Sequence, residues 1–129
     1  MIVLDYQDRR PIYEQVTDKF QILILNGVLP PGSQMPSVRQ LATELSVNPN
    51  TIQRAYMELE KLGLIYPVKG RGNFVADSSQ VQKINRESYR KEFTALIQKG
   101  RNTGFNREEL EKMFAEIFEK EDELSLIHI

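Results

Sequence analysis

Between Ser37 and Gly63 two short amphipathic helix patterns follow one another with almost no chain between them, and that closeness limits the fold more than any other feature. The first pattern, Val38 to Leu45, is preceded by Ser37, which stands in capping-box spacing with Gln40; Val38, Leu41, Ala42 and Leu45 share one face. The second opens at Asn48, a preferred N-cap, with Pro49 at the first helical position, where its missing N–H costs nothing. It runs through Asn50, Thr51, Ile52, Gln53, Arg54, Ala55, Tyr56 and Leu59, then stops at Gly63, a natural residue for the position after a helix. Two capped helices joined only by Ser46 and Val47 must turn sharply. A sharp turn into a helix with a polar N-terminus is the signature of a helix-turn-helix.

A strand–basic turn–strand pattern follows at once. Leu64 to Val68 has strand character, Lys69-Gly70-Arg71-Gly72 is a turn carrying two cations, and Asn73-Phe74-Val75 returns. Glycines on either side of Arg71 permit close approach to a surface, and such a tip can lie on a phosphate backbone or reach into a minor groove. A solvated hairpin tip is the bland alternative; the position directly behind a helix-turn-helix favours a DNA-binding wing.

Upstream, Pro11 suits a helix start, and Ile12, Val16, Phe20, Leu23 and Ile24 form an apolar stripe that Gly27 ends. Pro30-Pro31-Gly32 predicts a rigid loop leading to Ser37. The expected fold is therefore mainly α with a small β-wing: a winged helix-turn-helix over residues 1–76, with Asp77-Ser78-Ser79-Gln80 marking a boundary, and a second helical unit over 77–129.

That second unit reads as two amphipathic helices. One, from about Ser79 to Lys99, places Val81, Ile84, Tyr89, Phe93, Leu96 and Ile97 at helical spacing and is expected to close at Gly100. The other starts at Asn106, in capping-box spacing with Glu109, and carries Leu110, Met113, Phe114, Ile117 and Phe118 to about Asp122. Two such helices cannot enclose a core of their own. Their apolar faces bury either against the chain's own first helix or against a second copy; the second copy is the more economical answer, a homodimer through a two-helix dimerisation hairpin.

Charge and composition bound the function. Lys and Arg outnumber Asp and Glu eight to seven in residues 1–76, a net of +1, and trail nine to eleven in 77–129, a net of −2. A local patch governs nucleic-acid binding more than the total of −1, and Arg39, Arg54, Lys69 and Arg71 fall on the segments expected to face DNA. The chain has no cysteine, which removes disulfide and thiolate chemistry, and its one histidine, His128, stands beside the last residue; no metal site, cofactor or catalytic constellation is expected. No apolar run approaches the ~18 residues of a membrane span. The expectation is a soluble cytoplasmic protein without membrane association.

These residues carry a family resemblance. Pro11-Ile12-Tyr13-Glu14-Gln15-Val16, Gly27 to Ala42 with its Pro-Pro-Gly-Ser-Gln-Met-Pro-Ser-Val-Arg-Gln-Leu-Ala run, Val47 to Tyr56, and Lys69 to Val75 together resemble the GntR family of bacterial transcription regulators over roughly half of the chain. The short two-helix tail is similar to that of the YtrA-like subfamily. The resemblance implies a dimer, with members often linked to control of ABC transporter genes. A two-fold dimer predicts an inverted-repeat operator in double-stranded DNA, and a repressor that occludes the promoter is the default expectation for so compact a protein. Any small-molecule effector is left unidentified.

Residue roles follow only where this chain fits. Arg39 resembles the family's DNA-contacting arginine, with a surface ion pair to Glu44 as the alternative. Asn50, Thr51, Gln53 and Arg54 lie in the opening turns of the recognition helix, where amides and hydroxyls suit adenine edges and phosphates and Arg54 suits guanine or phosphate. Ser37 and Asn48 at the two helix starts, and Lys69, Gly70 and Arg71 at the wing tip, complete the candidate DNA-binding set. Pro49 and Gln53 stand where effector-binding relatives tend to have arginine, so base preference does not transfer from them. Ile52, Ala55, Tyr56 and Leu59 are expected in the core. Two other classes of function compete: a winged helix that docks a protein, and a ligand sensor between tail and head with Tyr89, Phe93, Phe105 and Met113 lining a cleft.

Overall fold

The structure, a computed structural model, describes residues 2–127, with side chains through Glu123. Helices α1 (Ile12–Leu25), α2 (Val38–Leu45) and α3 (Pro49–Lys61) precede strands β1 (Ile65–Val68) and β2 (Gly72–Val75), and α4 (Ser79–Asn102) and α5 (Arg107–Ile127) follow. This is the mainly helical architecture with a small wing that the patterns predict. Packing divides the chain into two compact units, a head of Met1–Ile84 and a tail of Asn85–Ile129.

The core of the head is built from the apolar faces of its three helices. Val16, Phe20 and Ile24 of α1, Leu41 and Ala42 of α2, and Ile52, Ala55, Tyr56 and Leu59 of α3 are buried, joined by Met35, Leu64, Ile65 and Val75. Phe20 meets Tyr56 edge to face at 6.0 Å, the geometry that aromatic quadrupoles favour. Burial pushes the Tyr56 phenol above its usual pKa, and its hydroxyl donates to the Pro36 carbonyl at 2.7 Å, so this buried polar group is satisfied. Ile12 and Leu23 of the expected α1 stripe are only partly buried, whereas Gln15, a polar residue that the pattern does not select, is buried. Its side chain accepts from the Asp5 N–H at 2.9 Å and donates to the Asp5 carbonyl at 3.0 Å, fastening the N-terminal arm to the head.

The wing pairs β1 and β2 antiparallel, from Ile65↔Val75 to Val68↔Gly72. The segment that reads as a loop before Ser37 is in fact its third edge. Gly32 N–H donates to Val75 O, Val75 N–H to Ser33 O and Met35 N–H to Asn73 O, each at 2.8 Å. Packing in the head continues beyond the wing into the first turn of α4, where the Gln82 amide donates to the Leu25 carbonyl at 3.2 Å and Val81 is partly buried against the core.

In the tail, α4 and α5 form a hairpin. Gly100 does not end α4 as expected; it lies inside the helix, and a Cβ there would stand 3.3 Å from Leu110 Cδ2, so the missing side chain lets α5 approach. The helix ends instead at Asn102 in a Schellman closure, with Phe105 N–H bonded to Gly100 O, Gly104 N–H to Arg101 O, and Gly104 at φ +102°. Asn106 and Glu109 then cap α5 reciprocally at 2.8 and 3.1 Å, a complete capping box. The helix continues past Asp122 to Ile127, since no proline or glycine intervenes. Between residues 85 and 123 no side chain is buried; only Ile97, Gly100 and Leu110 are even half-covered. A groove of about 850 Å³ runs between the helices, lined by Phe93, Ile97, Phe105, Leu110 and Phe114 with Arg101 at its edge.

Candidate nucleic-acid interface

The turn between α2 and α3 depends on Ser46. It sits at φ +56° after α2, and Val47 N–H returns to the Ala42 carbonyl at 3.0 Å while Ser46 N–H reaches Thr43 O at 3.2 Å. The chain thus reverses within two residues, and Asn48 starts α3 by accepting from the Asn50 N–H at 2.8 Å. Ser37 caps α2 in the same way, accepting from the Gln40 N–H at 3.0 Å. Both caps use a side-chain oxygen, leaving the Ser37 hydroxyl proton and the Asn48 amide protons for another acceptor.

Because Ile52, Ala55, Tyr56 and Leu59 are buried, the opposite stripe of α3 faces outward. Asn50, Gln53 and Arg54 are exposed on it, and Thr51, at its margin, is half-buried. Met57 continues the stripe at helical spacing and is also exposed; sequence reading passed over it, although counting on from Asn50, Gln53 and Arg54 reaches it. A thioether on this stripe suits contact with a thymine methyl.

Arg54 adopts a defined position: its guanidinium carbon lies 3.8 Å from the centroid of the Tyr13 ring, in the first turn of α1. The wing tip is equally specific. Arg71 N–H closes the turn onto Val68 O at 2.9 Å, Gly70 takes φ +76°, and the Gln34 amide donates to the Arg71 carbonyl at 2.8 Å. Gln34 therefore braces the tip from the third edge of the sheet. Tyr13 and Gln34 are functional candidates that no spacing reveals, because their partners are distant in sequence.

Three cations among the described residues are held by carboxylates. Arg10 is bound by Asp8 and Asp18, Lys61 by Glu58 at 3.5 Å and Arg107 by Glu111 at 2.7 Å. Among the described residues no carboxylate pairs with Arg39, Arg54, Lys69 or Arg71, and all four are exposed. The alternative ion pair between Arg39 and Glu44 does not form. Unpaired cations on a recognition helix, its supporting helix and a wing suit a phosphate-lined groove.

The tail positions divide differently. Tyr89, Phe93, Leu96, Met113, Phe114, Ile117 and Phe118 are exposed, as is Ile84 in the head unit, while Ile97 and Leu110 are half-covered within the hairpin. Tyr89 stacks on Phe93 at 6.1 Å and Phe114 lies tilted against Phe118 at 5.2 Å, so each helix presents an aromatic pair. Of the four residues expected to line a cleft between tail and head, Phe93 and Phe105 instead line the groove within the tail, and Tyr89 and Met113 do not line that groove. Among the described residues no helix is long and apolar enough to cross a membrane, and no three His, Cys, Asp or Glu side chains cluster as metal ligands. His128 lies outside the described residues.

A buried three-helix core, a turn-linked recognition helix and a braced basic hairpin define a winged helix-turn-helix protein. Residues 12–75 match the family described as bacterial regulatory proteins, gntR family. The HTH-type transcriptional repressor YtrA of Bacillus subtilis is 34% identical over 119 residues, covering 91% of this chain and 92% of that one. A GntR family transcriptional regulator from Listeria monocytogenes has a solved structure that superposes with a TM-score of 0.69 at 33% identity, over 88% of this chain and 98% of that one. The DNA-binding domain of AraR, solved in complex with operator ORE1, matches with a TM-score of 0.51 at 32% identity, over 57% of this chain and 90% of that one. The chain belongs to the GntR family, on the YtrA-like branch, and is a DNA-binding transcription regulator.

Proposed function

We propose that this protein is a repressor that binds an inverted-repeat operator as a homodimer. Residues 1–76 are the DNA-binding unit and 77–129 the dimerisation unit. The observation that carries the reading is the outward stripe of α3, where Asn50, Gln53 and Arg54 stand exposed opposite a buried core face, with unpaired Arg39, Lys69 and Arg71 around it. Base edges are read by Arg39 and by the first turns of α3; phosphates are held by Lys69, Arg71, the Ser37 and Asn48 caps and backbone N–H groups near Gly70. The tail supplies the second copy, since its exposed apolar helices have no core of their own. Two heads related by a two-fold axis call for a two-fold operator. Occlusion of a promoter by that dimer is the mode of repression, and the resemblance to the YtrA-like branch points to ABC transporter genes as the target.

Selection of sites from a random duplex library, with the full chain at about 150 mM salt so that backbone attraction alone is weak, tests this. The expected outcome is an enriched inverted repeat. Enrichment of a single half-site removes the dimer reading, and recovery of no preferred sequence removes base readout and favours a protein-docking winged helix.

A further inference from the structure

We propose that Tyr13, outside the helix-turn-helix, is a positioning residue for DNA recognition: it holds the Arg54 guanidinium flat, with its N–H edge free for the operator. The inference rests on the DNA-facing role of α3 proposed above.

The geometry is that of a cation resting on a ring face. Arg54 Cζ lies 3.8 Å from the Tyr13 centroid, well inside the ~6 Å range of cation–π attraction. A guanidinium is planar and weakly hydrated on its faces, and all five N–H donors project in its plane. Stacking therefore occupies a face and leaves every donor available. No carboxylate among the described residues competes for Arg54, so the ring is its observed anchor. A long arginine chain loses much rotamer freedom when it binds, and a chain already held in place loses less.

The platform is itself fixed. Tyr13 is half-buried and its hydroxyl donates to Glu14 Oε1 at 3.3 Å; one turn on, the buried Thr17 hydroxyl donates to the Tyr13 carbonyl at 2.7 Å. Below them Phe20 packs edge-on against Tyr56, tying α1 to α3. The ring thus moves with the recognition helix, and α1 acts as more than a strut for the core.

The test measures affinity of the full chain for its selected operator at several salt concentrations. Tyr13→Leu removes the platform and keeps the charge: binding is expected to weaken about two- to five-fold, the size of an exposed cation–π contact, with the salt slope unchanged. Tyr13→Phe keeps the ring and binds like the parent. Arg54→Gln weakens binding and lowers the slope by about 1 if the contact is to phosphate, and Tyr13→Leu added to it causes no further loss. Arg54→Lys, which leaves the core untouched and lacks the planar face, weakens binding on its own and likewise abolishes the effect of Tyr13→Leu.

An equal loss from Tyr13→Leu in the Arg54→Gln and parent backgrounds overturns the inference alone, because Tyr13 then acts without Arg54. So does a Tyr13→Phe protein as weak as Tyr13→Leu, since the hydroxyl would be the active group. If Arg54→Gln binds like the parent, the role of Arg54 fails and the inference goes with it.

Discussion

Phenylalanine meets opposite fates in the two units. Phe20 is wholly buried in the head, whereas Phe114 and Phe118 are more than half exposed in the tail. Both units are amphipathic helices with polar opposite faces, so the pattern that makes a helix does not say what covers it. In the head, α1, α2 and α3 cover one another and the wing closes the remaining side. In the tail, Leu110 of α5 comes close to Gly100 of α4, but most apolar surface faces outward. The head is a domain with its own core, and the tail has none among the described residues, which is why it is proposed as half of an interface.

The largest effect comes from cutting the two apart. A chain ending after Ile84 retains the Val81 and Gln82 contacts to the head and is expected to keep the head's cooperative thermal unfolding. Its affinity for an inverted-repeat operator should fall about 10²–10⁴-fold, the loss expected when two linked binding events become separate ones. Anisotropy titration at matched protein concentration checks this; undiminished binding would mean that the tail has no part in operator recognition.

Paired deletions sharpen the contrast. Phe20→Ala should destabilise the head by about 3–5 kcal/mol, the cost of emptying a packed core site, read as a lower urea midpoint. Phe118→Ala should leave that transition in place and instead weaken self-association by about 1 kcal/mol or more, read by sedimentation. A Phe118→Ala protein that loses head stability but self-associates normally would contradict the assignment of the tail as an interface.

Cations provide a third comparison. Arg39→Ala in the head should cost about 1–3 kcal/mol of operator binding and relax preference at particular bases. Arg101→Ala, which takes the same charge from the tail, should leave base preference unchanged. Equal effects in a site-selection experiment would mean that Arg39 contributes only to general electrostatic attraction.

Much of this was legible in the sequence because the signals were local. Pro49 behind Asn48, Gly63 after the second helix and the Lys-Gly-Arg-Gly tip each fix a backbone conformation within a few residues, and the helix-turn-helix and wing follow. Positions that depend on distant partners were not legible. Gln15 is buried because it replaces water around the Asp5 backbone, Gln34 matters because β2 lies beside residues 32–35, and Tyr13 matters because α1 crosses the start of α3. Gly100 was misread for a related reason: glycine ends a helix by taking positive φ or sits inside one to admit a neighbour, and only the presence of Leu110 distinguishes the two.

The smallest effect concerns how helices end in the two units. α3 and α4 close with glycine at the left-handed position, Gly63 at φ +75° and Gly104 at φ +102°, whereas α2 makes the same closure with Ser46 at φ +56°. An L-residue there costs roughly 1–2 kcal/mol through contact between its Cβ and the backbone. Glycine removes that contact but adds about 0.5–1 kcal/mol of chain entropy to the unfolded state. Ser46→Gly should therefore stabilise the head by about 0.5 kcal/mol, which for a unit of this size raises Tm by roughly 2–4 °C. The reverse change in the tail, Gly104→Ser, should destabilise the hairpin, because it introduces the strain that Ser46 carries in the head. Calorimetry of both variants decides the matter: a lower Tm for Ser46→Gly would mean that the serine hydroxyl supports the turn by more than its backbone strain costs.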